Sequence, residues 1–206
     1  MTEIRLHMGD LPDLLHYDVA AVAIDTETLG LNPYRDRLCV VQLSPGNGTA
    51  DVVQIAAGQK NAPNIVRLLE DPGIIKIFHF ARFDLAVLER SFGVMPMPVF
   101  CTKIASRLVR TYTNQHSLRE LCNEFLDIVL SKQQQSSDWG ADVLTEPQKQ
   151  YAASDVLYLH RLKNNLEKRL VRENRLDLAE SCFGFLPIRA KLDLAGWYDQ
   201  DIFAHN

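Results

Sequence analysis

Apolar residues fall into short uninterrupted runs in the first half of this 206-residue chain and into a three-to-four spacing in the second. Val19–Ile24 is β-branched and small without polar alternation, which predicts a central strand buried on both faces. Leu38–Leu43 and Thr49–Ile55 flank the turn formers Ser44-Pro45-Gly46-Asn47-Gly48 and predict an antiparallel hairpin. Pro63 opens a helix to Glu70, Asp71-Pro72-Gly73 ends it, and Ile74–His79 reads as a strand. A helical stretch covers Arg82–Ser91, and Val99–Thr102 is a short fifth strand.

The pattern then turns helical. Ser117-Leu118-Arg119-Glu120 and Thr145-Glu146-Pro147-Gln148 both fit the capping box, in which side chains satisfy orphan backbone donors. From Glu146 to about Leu170, one apolar stripe of Tyr151, Val156, Leu159, Leu162, Leu166 and Leu170 predicts a single long helix. Strands first and helices later indicate an α/β fold whose sheet mixes parallel and antiparallel pairs. Residues 1–170 are expected to form one domain. Residues 171–206 form a helical tail, since Leu176–Leu192 is amphipathic and Trp197, Tyr198, Ile202 and Phe203 carry apolar surface past its end. Such a tail should pack on the domain or on a neighbouring subunit, and its aromatics favour a subunit interface.

Composition narrows the class. With 47% hydrophobic and 23% charged residues, disordered, collagenous and mucin-like chains are excluded. The longest apolar run is far short of the roughly 20 residues a membrane span needs, and no basic segment precedes an apolar one at the N-terminus. A soluble protein without a secretion signal is the expectation. Cys39, Cys101, Cys122 and Cys182 form no C-x-x-C pair, which suggests buried free thiols in a reducing cytoplasm. A formal charge of −4 argues against salt-driven wrapping of long nucleic acid, so any such substrate is short or held through metal ions.

The chemistry concentrates in acids. Asp25 and Glu27 directly follow the first strand, and the two-residue period of an extended chain puts both carboxylates on one side. Asp84 stands near the start of the Arg82–Ser91 helix. Tyr151 and Asp155 are one turn apart on the long helix, hence on one face. Four carboxylates and a phenol at strand ends and on a helix face suit phosphodiester hydrolysis by two divalent ions about 3.5–4 Å apart. Hard oxygen ligands favour Mg²⁺ or Mn²⁺. A phenol with a reference pKa of about 10 is a poor base at neutral pH, so Tyr151 is read as orienting metal-bound water by hydrogen bonding, with metal-assisted loss of its proton as the alternative. Singly, each of these residues has a commoner structural reading, as a turn cap, a surface pair or a solvated helix face.

In order, Ile24-Asp25-Thr26-Glu27-Thr28, His79-Phe80-Ala81-Arg82-Phe83-Asp84 and Tyr151-Ala152-Ala153-Ser154-Asp155 resemble the three exonuclease motifs of the DEDDy group, and more narrowly ribonuclease D. Thr102–Leu108, Ser117-Leu118, Lys132, Ser137-Asp138-Trp139 and Gln150 extend the likeness, which covers about residues 18–170. The resemblance implies a ribonuclease H-like mixed β-sheet flanked by helices, and 3′→5′ exonucleolysis releasing nucleoside 5′-monophosphates. It implies that Asp25, Glu27 and Asp155 hold one ion, with Asp25 bridging to a second that Asp84 serves. Thr28–Pro33 is similar to a segment in which a leucine wedges against terminal bases, making Leu31 the candidate, with a core or loop-packing role as the alternative. Cys101 replaces an acid common before Thr102 but removes none of the four ligands. The helical modules that follow the catalytic domain in ribonuclease D have no counterpart in a tail this short. The compact form resembles nanoRNase C-type enzymes, which assemble into rings and degrade very short RNA, especially dinucleotides.

Further candidates are weaker. His79 ends a strand beside the site and either contacts substrate or is structural. Lys103, Arg107, Arg110, Tyr112 and His116 suit a terminal phosphate or a base stack, or form a solvated helix face. Short single-stranded RNA is the expected partner and DNA the alternative substrate, with a homo-oligomer and no membrane. Longer structured RNA, a nucleotide phosphatase and a non-catalytic scaffold are the competing functions.

Overall fold

The computed structural model describes residues 3–131 and 133–205, so Lys132 lies outside the described residues. Six strands form one sheet in the order β1-β4-β3-β2-β5-β6. These are β1 (Glu3–Met8), β2 (Ala21–Thr28), β3 (Leu38–Ser44), β4 (Thr49–Gln54), β5 (Ile75–Phe78) and β6 (Val99–Cys101). The pairs β2/β3 and β3/β4 are antiparallel, whereas β1/β4, β2/β5 and β5/β6 are parallel. Among the described residues there are seven α-helices: α1 (Pro63–Glu70), α2 (Ala81–Phe92), α3 (Thr102–Val109), α4 (Leu118–Leu126), α5 (Glu146–Leu157), α6 (Leu159–Arg172) and α7 (Leu176–Leu192). Among the described residues, no helix is long and apolar enough to cross a membrane.

Helices cover both faces because β3 and β4 are apolar on both. Val41 and Val53 join the main core with Ile65 of α1 and Leu85 of α2, while Val40 and Val52 meet Trp139, Leu144 and Ala152 in a smaller cluster. Helix α7 is fastened to β6 by Phe183, whose ring lies 4.8 Å from that of Phe100. Cys39, Cys101, Cys122 and Cys182 are all free, the first three buried and the last half-buried.

Three elements differ from the sequence pattern. The central strand starts at Ala21, not Val19, and runs on through Asp25 and Glu27 to Thr28. Both acids therefore lie inside it, where Asp25 sits opposite Gln42 and Glu27 opposite Val40. The single helix expected from Glu146 to Leu170 is two, broken at Tyr158 (φ −105°, ψ −8°). The apolar stripe runs unbroken across that change of direction, and neither Gly nor Pro marks it. In strand β1, Ile4, Leu6 and Met8 alternate with Arg5 and His7, a half-buried strand pattern that the sequence reading passed over; Ile4 packs against the core, while Leu6 and Met8 are exposed at the sheet edge. Polar contacts hold it as well. Buried Asp51 of β4 accepts from Arg5 Nη2 at 2.8 Å and from the Tyr17 hydroxyl at 2.6 Å, and it pairs with His7 Nε2 at 2.7 Å.

At the β3–β4 hairpin, Gly46 has φ +89° and a Cβ there would lie 2.9 Å from the His160 ring. Gly48 has φ +93° with open space around it. Thermal melts should therefore show Gly46→Ala costing about 1–3 kcal/mol, and Gly48→Ala less, since it meets only the backbone penalty. Equal losses would mean that the His160 contact relaxes freely.

Candidate active site

Strand β2 turns Asp25 and Glu27 to the same side, and the capping box of Thr145 and Gln148 starts α5 so that Tyr151 and Asp155 look onto them. One carboxylate oxygen from each of Asp25, Glu27 and Asp155 lies within 4.8 Å of the others. Asp84, in the first turn of α2, is buried and accepts from Thr26 Oγ1 at 2.7 Å. These residues line a cleft of about 720 Å³. From β3, Gln42 donates through Nε2 to Asp25 Oδ2 at 2.8 Å and fixes that carboxylate from behind.

Grouping acids this closely is costly, and their titration shows it. Loss of hydration pushes Asp25 up to about 7, a backbone hydrogen bond at Thr26 opposing the rise. Burial, then the charges of Asp25, Asp155 and Asp84, push Glu27 up to about 10. Asp84 and Asp155 are raised mainly by burial and next by Asp25. Such a cluster is relieved by protons or by cations. An all-oxygen donor set fits hard divalent ions such as Mg²⁺ or Mn²⁺. Burial and the carboxylates of Asp155, Glu27 and Asp25 raise the Tyr151 phenol, which stays protonated and donates toward Asp155.

Of the other predicted residues, Thr28, Leu31, His79 and Lys103 line the cleft. Leu31 is 80% exposed, so it has no part in the core. Burial, with Lys103 and His116 nearby, pushes His79 down to about 3 and keeps its ring neutral. Thr102 Oγ1 donates to the Phe78 carbonyl, so it accepts from His79 Nδ1 at 2.9 Å and leaves Nε2 as an acceptor. Lys103 Nζ rests 4.3 Å from the centre of the Phe80 ring.

The remaining predicted residues are not brought to the cleft. His116 is buried with Nδ1 2.8 Å from Ser106 Oγ, the Tyr112 hydroxyl donates to Glu124 at 2.7 Å, and Arg107 is exposed on α3. Arg110 is buried against Glu124 and the Gln115 carbonyl. Of these, Arg107 lies on α3, whereas Arg110, Tyr112 and His116 belong to the connection from α3 to α4, so they do not share one helix face.

Sequence reasoning passed over Phe80, Phe83, Arg119, Leu130 and Gln135, which also line the cleft. Phe80 adopts left-handed φ +70° before α2, which nothing in a phenylalanine announces. Gln42 had a readable signal as the one polar residue within Leu38–Leu43. Trp139, noted only for its resemblance, sits under Tyr151 with ring centres 6.0 Å apart.

Comparison with known proteins adds the family. Residues 13–171 match a family model described as 3′-5′ exonuclease. Ribonuclease D of Gluconacetobacter diazotrophicus is 38% identical over 160 residues, 78% of this chain and 40% of that protein. That of Acidiphilium cryptum is 35% identical over 156 residues, 76% of this chain and 39% of that protein. The chain thus spans about two-fifths of the length of these curated relatives. Brucella melitensis NrnC bound to pGG superposes with a TM-score of 0.97 at 66% identity, covering 100% of both chains. The same protein with bound Mg²⁺ gives 0.96 at 66%, again over 100% of both. Escherichia coli RNase D gives 0.79 at 26%, covering 91% of this chain and 51% of that one.

Proposed function

Because the chain belongs to the ribonuclease D family of 3′-5′ exonucleases, we propose that it hydrolyses very short single-stranded RNA, dinucleotides above all, from the 3′ end to nucleoside 5′-monophosphates. The observation that carries this reading is the carboxylate triangle of Asp25, Glu27 and Asp155 beside Tyr151. The preference for short substrates is supported by an end-to-end relative whose structure holds pGG, a dinucleotide by its formula.

Asp25, Glu27 and Asp155 would hold one divalent ion, with Asp25 and Asp84 serving a second. Bound there, such ions supply Lewis-acid polarisation of the phosphate and activation of water. The chain's own groups do the rest. Gln42 keeps the Asp25 carboxylate aimed at the cleft, and Thr26 does the same for Asp84. Tyr151 holds its proton, so it directs an attacking water by hydrogen bonding and does not act as a free base. His79 offers Nε2 to a sugar hydroxyl, Lys103 an ammonium to a phosphate, and Leu31 and Phe80 apolar surface to bases. Thr28 closes the same wall of the cleft. Exposed Ile188, Trp197, Ile202 and Phe203 on the tail support assembly of subunits into a ring. Four free thiols support a reducing compartment, the cytoplasm.

Turnover of a diribonucleotide, a seven-residue RNA, a transfer-RNA precursor and duplex DNA, each end-labelled and supplied with Mg²⁺ or Mn²⁺, tests this. The dinucleotide should be cut at least about tenfold faster than the others, a preference worth roughly 1.4 kcal/mol in the transition state. Faster trimming of the long substrates would overturn the length preference. Light scattering that finds a monomer at micromolar concentration would overturn the ring.

A further inference from the structure

The C-terminal turn reaches back to the wall of the cleft. After α7 the chain makes a wide turn, Asp193–Trp197, allowed by Gly196 at φ +107°. Asp193 at its start is enclosed, yet it binds two guanidinium groups. Arg82 reaches it through Nε at 2.5 Å and Nη2 at 2.7 Å, and Arg189 through Nη2 at 3.1 Å. Arg82 also donates to the Tyr198 carbonyl at 2.5 Å and lies 5.1 Å from the centre of its ring. The turn is thereby bolted to α2, two residues before Asp84.

From that anchor, the Tyr198 hydroxyl donates to the Leu31 carbonyl at 3.4 Å. The loop after β2 is braced on both sides of Leu31. Before it, Thr28 bonds the Gly30 carbonyl and the Leu29 amide donates to the Arg37 carbonyl at 3.2 Å. After it, Asn32 Oδ1 gathers the amides of Tyr34 and Arg35. Leu31 lies between these braces with its side chain exposed at the cleft wall, where an apolar group meets substrate instead of core. A crevice of about 300 Å³ otherwise separates the loop from the turn. The matched exonuclease segment stops at residue 171, so the contact is added by the tail.

The geometry points to Tyr198 as a positioning residue that, anchored through Arg82 and Asp193, holds the Leu31 loop where the cleft grips the end of its substrate. This rests on the proposed cleavage of short RNA. Dinucleotide turnover by wild type, Tyr198→Phe, Tyr198→Ala, Leu31→Ala and the Tyr198→Ala/Leu31→Ala double variant tests it, with melting temperature and light scattering as checks on fold and assembly. Tyr198 is exposed, so both substitutions should leave melting within about 2 °C of wild type. Tyr198→Ala should raise KM about fivefold or more while kcat changes less than about twofold, with Tyr198→Phe intermediate. If Tyr198 acts through Leu31, the double variant should be no worse than Leu31→Ala.

An unchanged KM in Tyr198→Ala, or effects that multiply in the double variant, would overturn the strap while leaving the parent activity standing. Absence of dinucleotide turnover by the wild-type protein would overturn the parent reading and the strap with it.

Discussion

Asp25→Asn is expected to lower hydrolysis by about a thousandfold or more and, at the same time, to make the cation-free protein more heat-stable at pH 8. The first effect follows from removing a carboxylate that faces both Glu27 and Asp155 and neighbours Asp84. The second follows from what that carboxylate costs. In the folded protein Asp25 and Glu27 titrate at about 7 and about 10, against a range near 4 in an unfolded chain. Between those values the folded state holds more protons, so stability falls as pH rises from about 4 through the folded-state values. The loss should amount to a few kcal/mol, or a melting temperature about 5–10 °C lower at pH 8 than at pH 5 in the presence of chelator. Mn²⁺ or Mg²⁺ should restore it at pH 8, because a cation replaces the protons. In Asp25→Asn the pH slope should flatten and the cation-dependent increment should shrink, and Asp155→Asn should behave alike. Thermal melts at pH 5 and 8, with chelator or with Mn²⁺, measure both. Near-wild-type turnover, or an unchanged slope, would contradict the assignment.

Asp51→Ala should produce the largest loss of stability, about 3–5 kcal/mol, without touching the cleft. Asp51 is buried and gathers Arg5, His7 and Tyr17 onto strand β4, and it does not line the site. Removing it leaves a half-buried guanidinium and a buried phenol without their acceptor. Strand β1 then keeps its backbone pairing and the packing of Ile4. Asp51→Asn, which still accepts hydrogen bonds, should lose less. The urea midpoint should fall in that order, while specific activity of the folded fraction stays within about twofold of wild type. A midpoint unchanged in Asp51→Ala would mean that β1 is held by pairing and Ile4 alone.

How much of this was legible depended on which force fixes each element. Strands β3 and β4, helix α1 and the start of α5 were readable because burial on both faces, a proline at the first helical turn and a capping box are local signals. Strand β1 was passed over although Ile4, Leu6 and Met8 alternate with Arg5 and His7, because only Ile4 of the three packs on the core and the strand's polar anchor, Asp51, lies far along the chain. The end of β2 was obscured by the chemistry itself, since Asp25 and Glu27 are polar residues in the middle of a strand. The likeness of three motifs picked out all four carboxylates and Tyr151, and the structure brings them to one cleft. It could not place Tyr112 or His116, which lie in the connection between α3 and α4, where no periodicity fixes the direction of a side chain. Nor could it show Tyr198 meeting Leu31, a contact between opposite ends of the chain.

The three carboxylates of the triangle come from positions 25, 27 and 155, and the fourth acid from position 84. Strand β2, which carries the first two, pairs antiparallel with β3 on one side and parallel with β5 on the other. No contiguous fragment shorter than the stretch from β2 to α5 can bring the triangle together, and closing so long a loop is among the slower steps of folding. A chain halted before Asp155 therefore cannot assemble the acidic cluster, however well its first strands pair.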